Sequence, residues 1–259
     1  MIRLALAVAC SLWATEASAE RILSLDSCAD QYVLALAPDA ELMLTPRADD
    51  DDSHHRRAAS GHRQARGSLE RALMFRPDVV VRTWGGDPRL IAALRADGAR
   101  IVDIPDVSDL QEARTTLIEV GRALDREDAA AREAARFDLR TAQIARDQPR
   151  PDALYLTAGG YTAGRGTFVD ALLKAAGLSN AEKEPGFRPV GLERLVLTPP
   201  AMLVLGFFDR ARADWRGVGR HPIVARLAKD RPVARPPAST LTCPAWFAAD
   251  ALPGLSGAR

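Results

Sequence analysis

Short aliphatic runs alternate with amphipathic helical stretches along this chain, and the alternation occurs twice. RILSL (Arg21 to Leu25) has the pattern of a buried strand, SCADQYVLALA that of a helix capped by Ser27, and LMLT (Leu42 to Thr45) that of a second strand. SLERALMF and DPRLIAALRADG read as helices on either side of the strand DVVVR (Asp78 to Arg82), and ARIVDI follows as a further strand. The second round opens with ALYLT, a glycine-rich turn and the helix TFVDALLKAAG, stopped by Gly177. It continues through the short helix LERLV, the strand MLVLGFF (Met202 to Phe208) and the helix HPIVARLA, then a proline-rich connector and PAWFAADAL. Strands built of consecutive aliphatic residues are buried on both faces, which requires helices on both sides of a largely parallel sheet. The expected fold class is α/β: two Rossmann-like lobes with a ligand cleft between them.

Between the two rounds, Ser108 to Gln148 has a single character. It contains no proline, is rich in Ala, Arg and Glu, and carries Leu110, Leu117, Val120, Leu124, Phe137 and Ile144 at helical spacing. The heptad of a coiled coil is not kept. One long α-helix joining the lobes is expected, or two abutting helices broken near Asp125. At the start of the chain, Arg3, the apolar run Leu4 to Trp13 and Ala17-Ser18-Ala19 have the order of an export signal cleaved after Ala19. That run is too short to span a bilayer. The expected organisation is a signal peptide over 1–19, a first lobe over 20–107, the connecting helix over 108–148 and a second lobe over 149–259.

Charge excludes some partners. Lys and Arg total 35 against 34 for Asp and Glu, a balance that gives no reason to expect nucleic acid or an acidic membrane surface. After cleavage two cysteines remain, Cys28 and Cys243, too few for a disulfide scaffold, although an exported protein can carry one bridge. Cys28 follows the first strand and Cys243 precedes the closing segment; a bridge and two separately buried thiols both stay open. The polar stretch RADDDDSHHRRAASGHRQARG has no periodicity and reads as an exposed loop.

The glycine-rich turn GGYTAGRGT (Gly159 to Thr167) invites a phosphate-binding reading, since it joins a strand to a helix. A nucleotide loop needs a lysine and a hydroxyl directly after its last glycine, whereas Gly164 is followed by Arg165 and Gly166. The dinucleotide spacing fails as well, because Thr167-Phe168-Val169 follows Gly166.

GGYTAGRGTFVDALLKAAGLSN behind a strand resembles the second lobe of periplasmic substrate-binding proteins that serve iron-siderophore and cobalamin ABC importers. RILSLDSCADQYVLALAP resembles that family's opening strand and helix, LERALMFRPDVVVRTWGGDPRLIAAL its next block, and TCPAWFAADAL its closing segment, so the similarity spans nearly the whole mature chain. The resemblance implies a two-lobed, rather rigid clamp joined by a long helix, with no enzymatic activity and no resident cofactor. It also implies a small-molecule metal chelate as ligand, an inner-membrane ABC permease as partner, and a periplasmic monomer.

Aromatic residues make up 5% of the chain, so their positions are informative. Trp84 follows the strand DVVVR at its carboxyl end, where open α/β sheets place ligands, and Tyr161 sits in the glycine-rich turn. The turn's glycines are expected to let the backbone approach a bulky ligand. Phe208 at a strand end and Trp246 beside Pro244 complete the aromatic candidates, while Phe207 reads as core. Arg82, Arg165 and Arg188 are candidate guanidinium contacts for an anionic chelate, tilting the expectation to a ferric siderophore, with corrinoid or haem as alternatives. Haem would draw on Tyr161 or a histidine for its iron. Asp49 to His55 raises a free-metal site as a minor alternative, against the reading of a solvated loop touching ligand from the rim. An exported enzyme is another minor alternative, although no G-x-S-x-G, H-E-x-x-H or S-x-x-K motif is present. The resemblance also implies that an acid on each lobe docks the permease, and Asp87 and Asp209 lie near comparable places, after a strand in each lobe.

Overall fold

The computed structural model describes residues 19–142, 144, 151–210 and 216–258. The expected signal peptide, Ala19 apart, therefore lies outside the described residues, as does the end of the connecting stretch from 145 to 148.

In the first lobe, β1 (Arg21–Ser24), β2 (Glu41–Leu44), β3 (Arg63–Gln64), β4 (Val79–Arg82) and β5 (Arg100–Asp103) form a parallel sheet in the order β3-β2-β1-β4-β5. The chain builds outward from β1 on one side and then returns to its other side, so the topological switch point falls between β1 and β4. Helices α1 (Ser27–Leu36), α2 (Arg56–Ala59), α3 (Leu69–Phe75) and α4 (Pro88–Ala96) connect these strands. Alternate side chains leave a strand on opposite faces, and the packing follows that rule. Ile22, Val79 and Val81 join the large core around α1, whereas Leu23 and Val80 pack with Ala72, Phe75, Leu90 and Leu94 of α3 and α4.

The second lobe repeats the arrangement. Strands β6 (Asp152–Thr157), β8 (Ser179–Asn180), β10 (Met202–Gly206) and β11 (Val233–Ala234) lie parallel in the order β11-β10-β6-β8. The turn after β6 and the later PGFRPV segment pair as an antiparallel ribbon, β7 (Tyr161–Ala163) with β9 (Phe187–Pro189). Helices α7 (Phe168–Ala175), α8 (Leu192–Leu197) and α9 (Pro222–Asp230) flank the sheet. Tyr155 and Val204 face the large core, and Leu154, Leu156, Leu203 and Leu205 face Leu195 and Val224.

The connecting stretch takes the second of its two expected forms. It is α5 (Leu110–Ala123) and α6 (Glu127–Ala142), separated by a reversal at Asp125, whose φ is +55°. The helices fold back on each other: Gly121 of α5 leaves no room for a Cβ beside Ala130, and Arg114 grips Asp138 with two bonds of 2.8 Å. A single long helix is thereby replaced by an antiparallel hairpin. Its apolar faces, with Leu117, Val120, Ala130 and Phe137, share one core with both lobes, and α10 (Leu252–Gly257) closes the chain against it.

Candidate ligand-binding cleft

Two covalent and polar ties fix how the lobes meet. Cys28, at the start of α1, forms a disulfide with Cys243, with Cα atoms 5.7 Å apart. Asp52, in the loop after β2, accepts from Arg210 Nη1 at 2.9 Å through its carboxylate and from Thr242 Oγ1 at 3.0 Å through its carbonyl. The first-lobe partners follow the carboxyl ends of β1 and β2, and Arg210 follows that of β10. The carboxyl-terminal edges of the two sheets therefore face each other, and they are stitched on the β2 and β10–β11 flank.

The loop Asp49 to His55 makes this seam, which corrects its reading as a solvated loop. His54 stacks on Phe247 with ring centroids 4.5 Å apart and reaches Asp250 at 3.5 Å, and His55 packs against Trp246. The His55 backbone N–H donates to Gln31 Oε1 at 2.8 Å. Burial, with His54 and Arg136 nearby, pushes the His55 imidazole down to about 4, and burial likewise lowers His54 against the pull of Asp250 and Glu133. A cavity of about 160 Å³ lies in the seam, bordered by Asp30, Gln31, Asp52, His54, Arg210 and Thr242. Burial raises the Asp30 carboxyl there despite hydrogen bonds from Thr45. The space is smaller than the ~300–1,000 Å³ of usual small-molecule sites. Among the described residues no group of three or more His, Cys, Asp or Glu side chains is arranged to hold a metal ion.

Beyond the carboxyl ends of β4 in the first lobe and β6 in the second, two aromatic residues are left in solvent. Trp84 is 68% exposed and Tyr161 53%. Trp84 rides on a turn fixed from below. The Asp26 carboxylate accepts from the backbone N–H groups of Thr83, Trp84 and Gly85 at 2.7, 3.2 and 3.0 Å, and Arg82 Nη1 donates to the Gly86 carbonyl at 3.2 Å. Asp26 also caps α1 by accepting from Cys28 N and Ala29 N. The expected cap, Ser27, is instead the first residue of the helix, because Asp26 satisfies donors from two segments at once. Tyr161 opens β7, its N–H bonded to Thr157 Oγ1 at 3.0 Å. The ribbon register places Phe187 on the same face as Tyr161, and Phe187 is 68% exposed. The sequence reading omitted Phe187, whose signal was an aromatic two residues ahead of Pro189 in an otherwise polar segment.

Other candidates fall elsewhere. Trp246 is 2% exposed: its ring meets Tyr32 edge-on at 4.7 Å and its Nε1 donates to Glu133 Oε2 at 3.3 Å, so the expected partial exposure is replaced by core packing. Phe208 lies half-buried beneath the Arg220 guanidinium at 4.8 Å, two residues beyond the end of β10, and Phe207 is half-buried with a φ of +61°. Arg82 is held by Asp103 at 3.1 Å as well as by Gly86. Arg188 is exposed but alternates to the face of the ribbon opposite Tyr161. Arg165 borders a concavity of about 250 Å³ with Asp170, Lys174, Asn180, Glu182 and Lys183. Asp87 caps α4 through Arg89 N and Leu90 N, and Asp209 accepts from Ala238 N at 2.8 Å.

Two glycines of the turn answer to the protein itself. A Cβ on Gly164 would collide with the Glu184 carbonyl, and Gly160, at φ +89°, abuts Val218. At Gly160 and Gly164 the missing Cβ admits neighbouring parts of the chain, whereas Gly166, at φ +78°, faces open space.

The chain matches the periplasmic binding protein family over residues 22–227 and belongs to that family of solute-binding proteins. Three solved structures illustrate the shared fold. The periplasmic heme-binding protein RhuT from Roseiflexus sp. RS-1 is 23% identical over 93% of this chain and 99% of that one, with a TM-score of 0.71. The periplasmic vitamin B12 binding protein BtuF of Vibrio cholerae is 22% identical over 93% and 96%, at 0.67. An ABC-type Fe3+-hydroxamate transport system protein from Saccharomonospora viridis is 21% identical over 93% of each chain, at 0.63. A search of curated proteins finds no match. Among the described residues, no helix is long and apolar enough to cross a membrane.

Proposed function

We propose that this chain is the substrate-binding component of an ABC importer, with no catalytic activity, and that it captures a metal chelate between its lobes and delivers it to an inner-membrane permease. In this reading the chain is exported, loses its signal peptide after Ala19 and works as a periplasmic monomer. The observation that carries the proposal is the pair of exposed aromatics, Trp84 and Tyr161, beyond the carboxyl ends of β4 and β6. Aromatic rings left in water on fixed backbone are covered favourably by a ligand with a broad apolar or π face. Phe187 widens the Tyr161 side.

The geometry favours a flat macrocyclic chelate, haem or corrinoid, over the ferric siderophore expected from the arginines. Arg82 is already held by Asp103 and Gly86, and Arg188 alternates away from Tyr161. Of the groups anticipated as ligands to haem iron, His54 and His55 are packed in the seam, and Tyr161 is exposed. The exposed Arg165 and Arg188 keep an anionic ferric siderophore as the second reading. The test is a titration of the purified mature chain with haemin, cyanocobalamin, a ferric hydroxamate and a ferric catecholate, followed by tryptophan quenching and calorimetry. Saturable one-to-one binding of either macrocycle supports the first reading, siderophore binding alone supports the second, and four flat titrations overturn both.

A further inference from the structure

We infer that Asp26 is a positioning residue for ligand capture: its buried carboxylate holds the Trp84 turn against the amino end of α1 and so sets affinity without touching the ligand. The inference rests on the reading of Trp84 as a ligand contact.

The distribution of bonds between the two carboxylate oxygens carries the argument. Oδ1 accepts from Cys28 N at 3.2 Å, Ala29 N at 2.9 Å and Thr83 Oγ1 at 2.5 Å. Oδ2 accepts only from the turn, at Thr83 N, Trp84 N and Gly85 N. Asp26 is 2% exposed, and its buried donors Cys28 N, Ala29 N and Gly85 N would be left unsatisfied if the carboxylate were removed. Capping a helix needs one side-chain oxygen, and serine, threonine or asparagine supplies it. The second oxygen with three backbone donors is beyond that need, and only a carboxylate offers two acceptor oxygens with no donor.

Position adds to chemistry. β1 and β4 flank the switch point of the first sheet, and Asp26 bridges the segments that leave them. Gly85 completes the lock, since a Cβ there would run into the Leu25 carbonyl. The turn has its backbone tied down at residues 83 to 86 while the indole points out, which is the condition for an aromatic contact that loses little freedom on binding. Through Cys28 N, the same carboxylate is also bonded next to the inter-lobe disulfide, which fixes the Trp84 wall relative to the seam.

Asp26→Ser separates the two tasks, because a serine keeps the cap of α1 and abandons the turn. Thr83→Val removes one donor and leaves Asp26 intact, and Asp109→Ser, at the cap of α5, is a control of the same chemistry. Two readouts are taken on folded, disulfide-intact protein. The first is time-resolved tryptophan anisotropy of the ligand-free chain, with Trp84→Phe subtracted to isolate the Trp84 signal. The second is the Kd for whichever of haemin, cyanocobalamin, ferric hydroxamate or ferric catecholate binds the parent chain. Expected are faster Trp84 motion and at least tenfold weaker binding in Asp26→Ser, a smaller effect of the same sign in Thr83→Val, and neither change in Asp109→Ser. Should Asp26→Ser fail to fold, Thr83→Val carries the test by the same two readouts. Unchanged anisotropy overturns the inference whether or not a ligand has been found. Faster motion with unchanged Kd overturns the link to affinity. If none of the four chelates binds the parent chain, the proposed function falls while the anisotropy still decides what Asp26 holds.

Discussion

Arg210 of the second lobe bonds Asp52 of the first at 2.9 Å, alongside the disulfide between Cys28 and Cys243. Ion pair and disulfide both join the lobes at this seam, beside the core that the α5–α6 hairpin shares with both. The disulfide encloses a loop with a sequence separation of 215. On the chain-entropy estimate its loss costs roughly 5 kcal/mol at most. Denatured, unreduced chain starting at Glu20 is expected to show no reactive thiol, and the Cys28→Ser/Cys243→Ser variant to unfold at lower denaturant. Two titratable thiols per chain would contradict the pairing.

Trp84→Ala and Tyr161→Ala are each expected to weaken chelate binding more than tenfold, about 1.4 kcal/mol. Trp246→Phe should act differently, lowering stability through the lost bond to Glu133 while leaving affinity within twofold. Calorimetry beside chemical denaturation separates the two. Affinity insensitive to both Trp84 and Tyr161 would move the site elsewhere.

Stability is expected to fall on acidification from neutral pH. His55 is held down to about 4 in the folded chain by burial, then by His54 and Arg136, whereas an unfolded histidine titrates near 6.5. Below about 6.5 the unfolded state takes up a proton that the folded state refuses, so stability is lost progressively until the pH passes about 4. The ceiling is about 3 kcal/mol from His55, with His54 shifted the same way. Urea denaturation of the parent and of His55→Asn between pH 7 and 4 checks this. Equal slopes in the two proteins would remove His55 as the cause.

Gly164→Ala should cost about 3 kcal/mol, a clash with backbone that has nowhere to move. Gly166→Ala has open space but a φ of +78°, and should cost about 1 kcal/mol. Reversal of that order in denaturation midpoints would mean that Glu184 does not pack on the turn as described.

Asp87 and Asp209 remain the proposed permease contacts, yet both have tasks within the lobes. Asp87→Asn retains a cap and removes the charge. If docking uses these acids, uptake in whole cells should drop in the Asp87→Asn/Asp209→Asn pair without change in chelate affinity. Unaltered uptake would release both residues from that role.

The architecture was legible because it rests on local pattern: a buried strand announces itself by consecutive aliphatics, and the exposed position of Trp84 could be anticipated because it follows one. What escaped notice depends on contacts remote in the chain. Asp26 and Ser27 are both good capping residues, and only the donors of Thr83 to Gly85 decide between them. Trp246 sits beside a proline, which suggested exposure, but Tyr32 and Glu133 bury it. The acidic His-containing stretch has the composition of a solvated loop, and only the arrival of Arg210, Thr242 and Phe247 turns it into a seam. Phe187 gained meaning from β7, more than twenty residues upstream.

A clamp whose halves drift freely must surrender relative translation and rotation of two walls at every capture. Here Cys28–Cys243 and Asp52–Arg210 cross-link the lobes before any guest arrives, which on the proposed function leaves less of that freedom to surrender. On the proposed function, a guest meets two halves already joined by a covalent bond, so selection among guests would rest on the fit of its faces rather than on how far the halves travel.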